Sequence, residues 1–237
     1  DTDSGSSGGL EASCVVSENP LVVDCTTTET GPLTLTLSAA GAPTRVFAGE
    51  PPRWGWGLVA DTTYDWTLGR ISGTVTTGPL PPALASAEIE VTGTLFGMDA
   101  ALVYLSCGWF AMIDGDGRIV WGLPTDVYDG LTDGMMWSQD DASLLAIADS
   151  TMSFDESVFV ETHVSGTELL RLVPGDFELQ LTHDVGRWGP YTYLLGETAD
   201  RIGGFEVFDG TTRIMSRSLA DDFADVTSLA TAHVNGL

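Results

Sequence analysis

Hydrophobic and polar residues alternate with a period of two over short stretches through most of the chain. These stretches are rich in Val, Thr and aromatic residues, and Gly, Pro, Asp or Asn separates them. Such alternation turns one face of a strand inward and the other outward, whereas helical periodicity is scarce. We therefore predict an all-β protein, with early strands in the stretches CVVS, LVVDCTTT, PLTLTLSA, TRVFAG, TYDWTL and GTVTTG.

A longer unit repeats later in the chain: a strand, a tight polar turn with Gly, and a second strand. The turn glycines Gly117, Gly166 and Gly210 are 49 and 44 residues apart. A hairpin that recurs at about this interval is typical of a β-propeller, with one hairpin in each blade. The stretches 135–149 and 179–197 are predicted to be inner strands that face the central channel.

About three blades are predicted, fewer than a closed ring needs, and three blades leave exposed strand edges. We therefore expect the chain to be a fragment, half of a split ring or part of an assembly. A second polypeptide or self-association would then complete the propeller.

The Pro- and Ala-rich stretch at 78–86 marks the predicted domain boundary. The sequence predicts a flexible tether at 1–12, a β-sandwich at 13–82 and a partial β-propeller at 83–237. Residues 1–9 are acidic and small, as would remain after removal of a signal peptide.

The first domain carries the spacing of a tyrosine corner at Leu58, Thr62 and Tyr64, where a Tyr hydroxyl bonds an upstream backbone group. This segment resembles a fibronectin type III sandwich, although Ala60 replaces the usual Pro. The segment is short for that fold, so an edge strand is expected to be missing or irregular. Trp54 and Trp56 are predicted to cover the sandwich core, with ligand binding as the alternative.

The charge of the 237-residue chain is strongly negative, with 34 acidic residues, 9 Lys or Arg and a net charge of −25. This balance argues against nucleic acid and anionic lipid as partners, because both need cations. No apolar run reaches the roughly 18 residues of a membrane span. We expect no cofactor, with calcium at the acidic loops as the alternative. The DGDG at 114–117 has only part of a calcium loop and is predicted to be a two-residue hairpin turn.

The three cysteines divide into a pair and a single residue. Cys14 and Cys25 flank a predicted turn at ENP, so adjacent antiparallel strands would bring them within disulfide range in an exported protein. Cys107, in the apolar stretch ALVYLSCGWF, is predicted to be a buried thiol.

The three histidines differ in their settings. His163 lies in a predicted turn and is expected to be solvated, whereas His183 lies on a predicted inner strand. His233 and Asn235 share a face of any strand that holds both. His183 and His233 are 50 residues apart, about one blade, and would occupy equivalent places around a channel. The alternative is that they are structural.

These features together resemble bacterial arylsulfate sulfotransferases, which are exported propellers with a small N-terminal β-sandwich. The resemblance rests on the sandwich, the Pro-rich join, MIDGDGRIVW, His183-Asp184, and His233-x-Asn235 one blade later. It implies sulfuryl transfer from one phenol to another through a covalent sulfohistidine. It also implies that His183, His233 and Asn235 hold the sulfuryl oxygens.

The chain departs from that family in two respects. Thr182 stands where the family often has another His, and the nucleophilic His and a sulfate-binding Arg are expected downstream of Asn235. Arg187 and Arg201 are candidates to bind the anionic substrate locally.

Two rival hypotheses remain beside the exported, lipid-tethered or cell-surface enzyme, whose location would be periplasmic, cell-surface or extracellular. The first is a non-catalytic cell-surface or filament-forming protein that assembles through open strand edges. The second is a carbohydrate- or peptide-binding propeller that uses Trp109, Trp137 and Trp188.

Overall fold

The computed structural model describes residues 10–50, 53–92, 99–128, 131–138, 142–149, 157–198 and 203–218. Within these ranges the regular secondary structure is almost entirely antiparallel β-sheet, which confirms the all-β prediction. The chain divides into two compact units, 1–123 and 124–237. The Pro-rich stretch at 78–86 lies inside the first unit.

The first unit begins with two sheets whose strand orders are β1-β2-β5 and β4-β3-β6-β7. All six strands predicted for this segment are present, and the two sheets contain one further strand, β5. The strands are β1 (Ala12–Val16), β2 (Val23–Thr27), β3 (Leu33–Ser38), β4 (Arg45–Gly49), β5 (Arg53–Gly55), β6 (Thr63–Leu68) and β7 (Ile71–Thr76).

Among the strands of these two sheets, β5 is the one that the sequence pattern did not predict. It has only three residues and pairs with β2, with Trp54 opposite Asp24 and Arg53 opposite Cys25. So short a strand shows no alternation. Trp56, which follows it, packs its ring against Phe47 at a centroid distance of 5.7 Å, and Phe47 lies against the core. This contact agrees with the predicted covering role of Trp56.

One hydrophobic core is shared by these two sheets. Sheet β1-β2-β5 contributes Val23 and Cys25, and sheet β4-β3-β6-β7 contributes the alternate residues of β3 and β6. The tyrosine corner is confirmed, because the backbone N–H of Val59 donates to the Tyr64 hydroxyl at 2.9 Å. Tyr64 is fully buried, and burial raises the pKa of its hydroxyl.

The predicted disulfide between Cys14 and Cys25 is present. The two residues lie directly opposite each other in the β1–β2 ladder, with Cα atoms 4.1 Å apart. The turn at ENP sets this register, since the side chain of Asn19 accepts from the Leu21 backbone N–H at 3.2 Å.

A three-stranded sheet completes the first unit, in the order β10-β9-β8. Its apolar residues pack with Leu21 and with Leu84 of a short helix, α1. The side chain of Asn19 also donates to the Gly122 carbonyl at 2.9 Å, which ties the first turn to β10. The elements are α1 (Pro82–Ala85), β8 (Ala100–Leu105), β9 (Trp109–Asp114) and β10 (Ile119–Pro124).

Two sequence predictions are wrong in this sheet. Cys107 is exposed rather than buried, because the apolar stretch around it folds into the β8–β9 hairpin and places Cys107 in the turn. The DGDG loop is longer than the predicted two residues. The Asp114 backbone N–H donates to the Arg118 carbonyl at 3.0 Å, which leaves residues 115–117 in the loop. The Asp114 carboxylate closes this longer turn by accepting from the backbone N–H groups of Asp116 and Arg118, both at 3.0 Å.

The second unit holds two four-stranded antiparallel sheets in which neighbours in sequence are neighbours in space. We name them the first meander (β11-β12-β13-β14) and the second meander (β15-β16-β17-β18). A 3₁₀ turn (Thr125–Tyr128) precedes the first meander. The strands of the two meanders are β11 (Leu131–Ser138), β12 (Ser143–Asp149), β13 (Val158–His163), β14 (Glu168–Leu172), β15 (Gln180–Trp188), β16 (Tyr191–Glu197), β17 (Gly203–Asp209) and β18 (Thr212–Ser218).

The predicted strand–turn–strand repeats are present as the hairpins β9–β10, β13–β14 and β17–β18. In each meander this hairpin forms the last two strands, and the intervening stretch forms the first two. One apolar cluster joins the meanders, with Leu145, Ile147 and Phe159 from the first and Leu194 and Phe208 from the second. At about 1.5–3 kcal/mol for each buried side chain, this cluster is a principal source of stability for the second unit.

Candidate functional site

His183 lies on β15, the first strand of the second meander. The β15–β16 ladder pairs Leu181 with Gly196 and then Val185 with Leu194, so residues 182–184 lie opposite a single residue of β16. Such bulges are common beside active sites, where they re-aim side chains. The backbone at His183 is therefore irregular at the position that the sequence singled out.

The other predicted channel residues, His233 and Asn235, lie outside the described residues, as does Arg201. The described residues therefore do not test whether the predicted site residues lie together. Their assignment to the site stays a prediction.

Arg187 is described, and its guanidinium pairs with a carboxylate of the first meander. Its Nη2 donates to Oε1 of Glu161, and its Nη1 donates to the Thr192 hydroxyl at 3.0 Å. The Ser143 hydroxyl donates to the same Glu161 oxygen at 2.8 Å. Glu161 is 4% exposed and Thr192 is fully buried. The positive charge of Arg187 is thus neutralised within the unit, and a substrate anion would have to compete with Glu161 for it.

A second buried carboxylate, Glu206 on β17, has a similar setting. It accepts from Arg213 Nη1 at 3.0 Å, from the Ser216 hydroxyl at 3.2 Å and from the Glu178 backbone N–H at 3.2 Å. Arg213 Nη2 reaches the Glu178 carboxylate at 2.8 Å. Hydrogen bonding to Glu178 and the charge of Glu206 raise the pKa of Arg213.

Sequence reasoning missed Glu161 and Glu206, although both leave a signal. Glu206 lies between two apolar residues in the predicted strand GFEVF, and Glu161 directly follows two apolar residues in the predicted strand FVETH. A charge at such a position is buried only with a partner, so each one calls for a nearby cation.

His163 closes the β13–β14 turn rather than lying free in solvent. It is partly buried, and its Nδ1 accepts from the Ser165 backbone N–H at 3.2 Å and lies 2.7 Å from the Ser165 hydroxyl. His163 is the last residue of β13, and the turn begins at its carbonyl, which accepts from the Gly166 backbone N–H at 2.8 Å. The prediction of a solvated side chain is therefore wrong.

The acidic turn at 114–117 is occupied by an internal cation. Arg118 Nη2 lies 2.8 Å from Asp114 and 2.7 Å from Asp116, and Nη1 donates to the Gly41 carbonyl at 2.6 Å. The bond to Asp114 raises the pKa of Arg118. In the part of the chain that the structure describes, no group of three or more His, Cys, Asp or Glu residues could hold a metal.

The three tryptophans proposed for ligand binding differ in exposure. Trp109 packs against the core of the three-stranded sheet, and Trp137 is partly buried. Trp188, at the β15–β16 turn, is 77% exposed. Of the three, Trp188 therefore offers an open ring.

Comparison with known proteins finds no match for this chain among family models, curated proteins or solved structures. No helix within the described ranges has the length and apolar character to cross a bilayer.

Proposed function

We propose that this chain is the N-terminal part of an exported arylsulfate sulfotransferase-like protein, with a fibronectin type III-like sandwich followed by the first blades of a propeller. One observation carries the proposal. The first strands of the two meanders, β11 and β15, lie in contact, and His183 is on β15. In a propeller, the first strands of successive blades line the channel where a ligand binds.

Further features support the sandwich and the export. The strand orders β1-β2-β5 and β4-β3-β6-β7 and the Tyr64 corner agree with a fibronectin type III-like arrangement. A disulfide between Cys14 and Cys25 is compatible with an oxidising compartment.

The reaction we propose is transfer of a sulfuryl group between phenols. The S–O bond of the aryl sulfate breaks as an imidazole nitrogen forms an N–S bond, and the first phenol leaves as phenolate, which takes up a proton from solvent. The acceptor phenol oxygen then forms an O–S bond as the N–S bond breaks, its proton passes to solvent, and the imidazole is regenerated. His183, His233 and Asn235 stabilise the developing negative charge on the sulfuryl oxygens. In this proposal the nucleophile is a histidine other than His183 and His233.

The test uses the polypeptide as isolated from its source, with p-nitrophenyl sulfate as donor and phenol as acceptor. Loss of one such charge-stabilising group costs about 100- to 1,000-fold in kcat. We expect that loss in His183→Ala and in His233→Ala. His163→Ala is the matched control, since His163 bonds Ser165 in a turn, and it should keep full turnover. Equal turnover in all three variants would contradict the proposal.

A second function is favoured by the exposure of β18. This strand ends the second meander, and Ile214 and Met215 are 51% and 47% exposed. An exposed apolar edge strand is a template for pairing with another chain. On this alternative the protein is a non-catalytic cell-surface or filament protein that assembles through β-strand addition.

Sedimentation measures the size of the purified chain in solution and so tests whether it assembles. Assembly through β18 would be supported if the natural chain and the control Val46→Lys, changed at an exposed residue of β4, form large assemblies and Ile214→Lys does not. A monomer at all concentrations would exclude assembly.

A further inference from the structure

Two exposed aromatic residues and a carboxylate form one row at the end of the second meander. Trp188 lies directly opposite Tyr191 in the β15–β16 ladder, and Tyr191 lies directly opposite Asp209 of β17. Residues that are directly opposite in a ladder share a face, with Cβ atoms about 5 Å apart. Trp188, Tyr191 and Asp209 are therefore side by side, and we call them the Trp188 row.

All three members of the Trp188 row are accessible. Trp188 is 77% exposed, Tyr191 is 37% exposed, and Asp209 is exposed. Large aromatic rings are usually well buried, so an open Trp beside a second open ring marks an interaction surface.

The turn that carries this row is held in place from beneath. Arg187 Nη1 donates to the Pro190 carbonyl at 3.4 Å and to the hydroxyl of buried Thr192 at 3.0 Å. Gly189 has a φ of +57°, which allows the tight turn between the two aromatic residues. A ligand would therefore meet a preorganised surface and lose less conformational entropy on binding.

Charge decides which chemistry fits the row. The chain has a net charge of −25, and five of its arginines already pair with its own carboxylates: Arg45, Arg118, Arg171, Arg187 and Arg213. Aromatic faces are electrostatically negative and attract cations. Trp188, Tyr191 and Asp209 thus all favour a positively charged partner.

We propose that the Trp188 row binds arginine side chains of a basic polypeptide segment. A guanidinium stacks flat on an aromatic ring, and its fork of N–H groups matches a carboxylate such as Asp209. A lysine ammonium offers neither the plane nor the fork, so arginine is preferred. This inference does not depend on sulfuryl transfer, and either can fail alone.

The test measures binding of a fluorescent peptide of alternating Gly and Arg to the whole chain by polarisation. Two peptides serve as matched probes: one with Lys and one with citrulline, which is the neutral isostere of Arg. We expect the Arg peptide to bind best and the citrulline peptide not to bind. Equal binding of the citrulline peptide, or displacement of the Arg peptide by a neutral oligosaccharide such as cellohexaose, would overturn the proposal.

Variants then locate the site. Trp188→Ala should weaken binding of the Arg peptide about 3- to 10-fold, as loss of an exposed cation–π contact does, and Asp209→Asn should weaken it about threefold. Asp65→Asn and Tyr104→Ala remove an exposed charge and an exposed ring elsewhere, and they should leave binding within about twofold. Equal losses in Asp209→Asn and Asp65→Asn would mean that only the overall negative field attracts the peptide, and the proposal would fall. Unchanged circular dichroism confirms that each variant is folded.

Discussion

Glu161 and Arg187 form a charge pair in the layer between the two meanders, where water is largely excluded. Removing one member of a buried pair leaves the other charge desolvated, which costs about 3–5 kcal/mol. We predict that Arg187→Met lowers the free energy of unfolding of the second unit by that amount, measured by urea denaturation. The double variant Arg187→Met/Glu161→Leu should recover much of the loss, because no charge then remains buried.

The matched control is Arg171→Met. Arg171 pairs with Glu168 at 2.8 Å near the surface, and such pairs contribute about 0–1 kcal/mol. Equal destabilisation by Arg171→Met and Arg187→Met would contradict the account of the buried pair.

Tyr64 gives a prediction with a pH dependence. Burial raises the pKa of its hydroxyl in the folded state, whereas the unfolded state releases that proton at about pH 10. The stability that Tyr64 contributes is therefore complete below about pH 10 and is lost as the pH rises through the folded pKa. Tyr64→Phe should be less stable than the natural protein by about 1–2 kcal/mol at neutral pH, because the Val59 N–H loses its acceptor.

The difference in the free energy of unfolding between the natural protein and Tyr64→Phe should become smaller as the pH rises above about 10. Denaturant unfolding at a series of pH values measures it. Tyr104→Phe, at an exposed position, is expected to show no difference at any pH. A constant difference for Tyr64→Phe across the alkaline range would show that the hydroxyl is not held neutral by burial.

At the scale of elements, the Cys14–Cys25 disulfide links β1 to β2 while Cys107 remains in the β8–β9 turn. We predict that iodoacetamide modifies one thiol of the native protein, Cys107, and three after reduction and unfolding, as counted by intact mass. A second modified thiol in the unreduced protein would contradict the pairing.

Loss of the disulfide should also change stability. In the chain-entropy account, a disulfide that closes a loop of this size destabilises the unfolded state by about 3 kcal/mol. We therefore expect Cys14→Ala/Cys25→Ala to lower the free energy of unfolding by about 2–3 kcal/mol. Cys107→Ala should be nearly neutral, since an exposed turn residue buries little surface.

The strands with clear alternation were predictable because burial of one face dictates the pattern, as in β6, whose residues alternate between exposed and buried. Strand β5 was not, because three residues carry no period. The burial of Cys107 was predicted wrongly, because an apolar stretch does not indicate which of its residues form a turn. Glu161 was missed as a site residue because both faces of β13 are buried and the alternation disappears there.

At the scale of the whole molecule, the order of the elements was predictable, whereas the geometry of the candidate site was not. His183 could be placed on a strand from its local pattern, and the structure adds the irregular ladder around it. Its distance from His233 depends on packing between distant segments, which no local pattern encodes. The partner of Arg187 was likewise unpredictable, because Glu161 lies 26 residues away on a different sheet.

Two-substrate kinetics test whether this protein transfers a sulfuryl group between phenols. The polypeptide isolated from its source is incubated with p-nitrophenyl sulfate, with and without phenol, and both p-nitrophenol and phenyl sulfate are quantified. If the protein transfers sulfuryl groups, phenol should accelerate p-nitrophenol release and phenyl sulfate should form in equal amount. No release, or release that phenol does not change and that yields no phenyl sulfate, would contradict it.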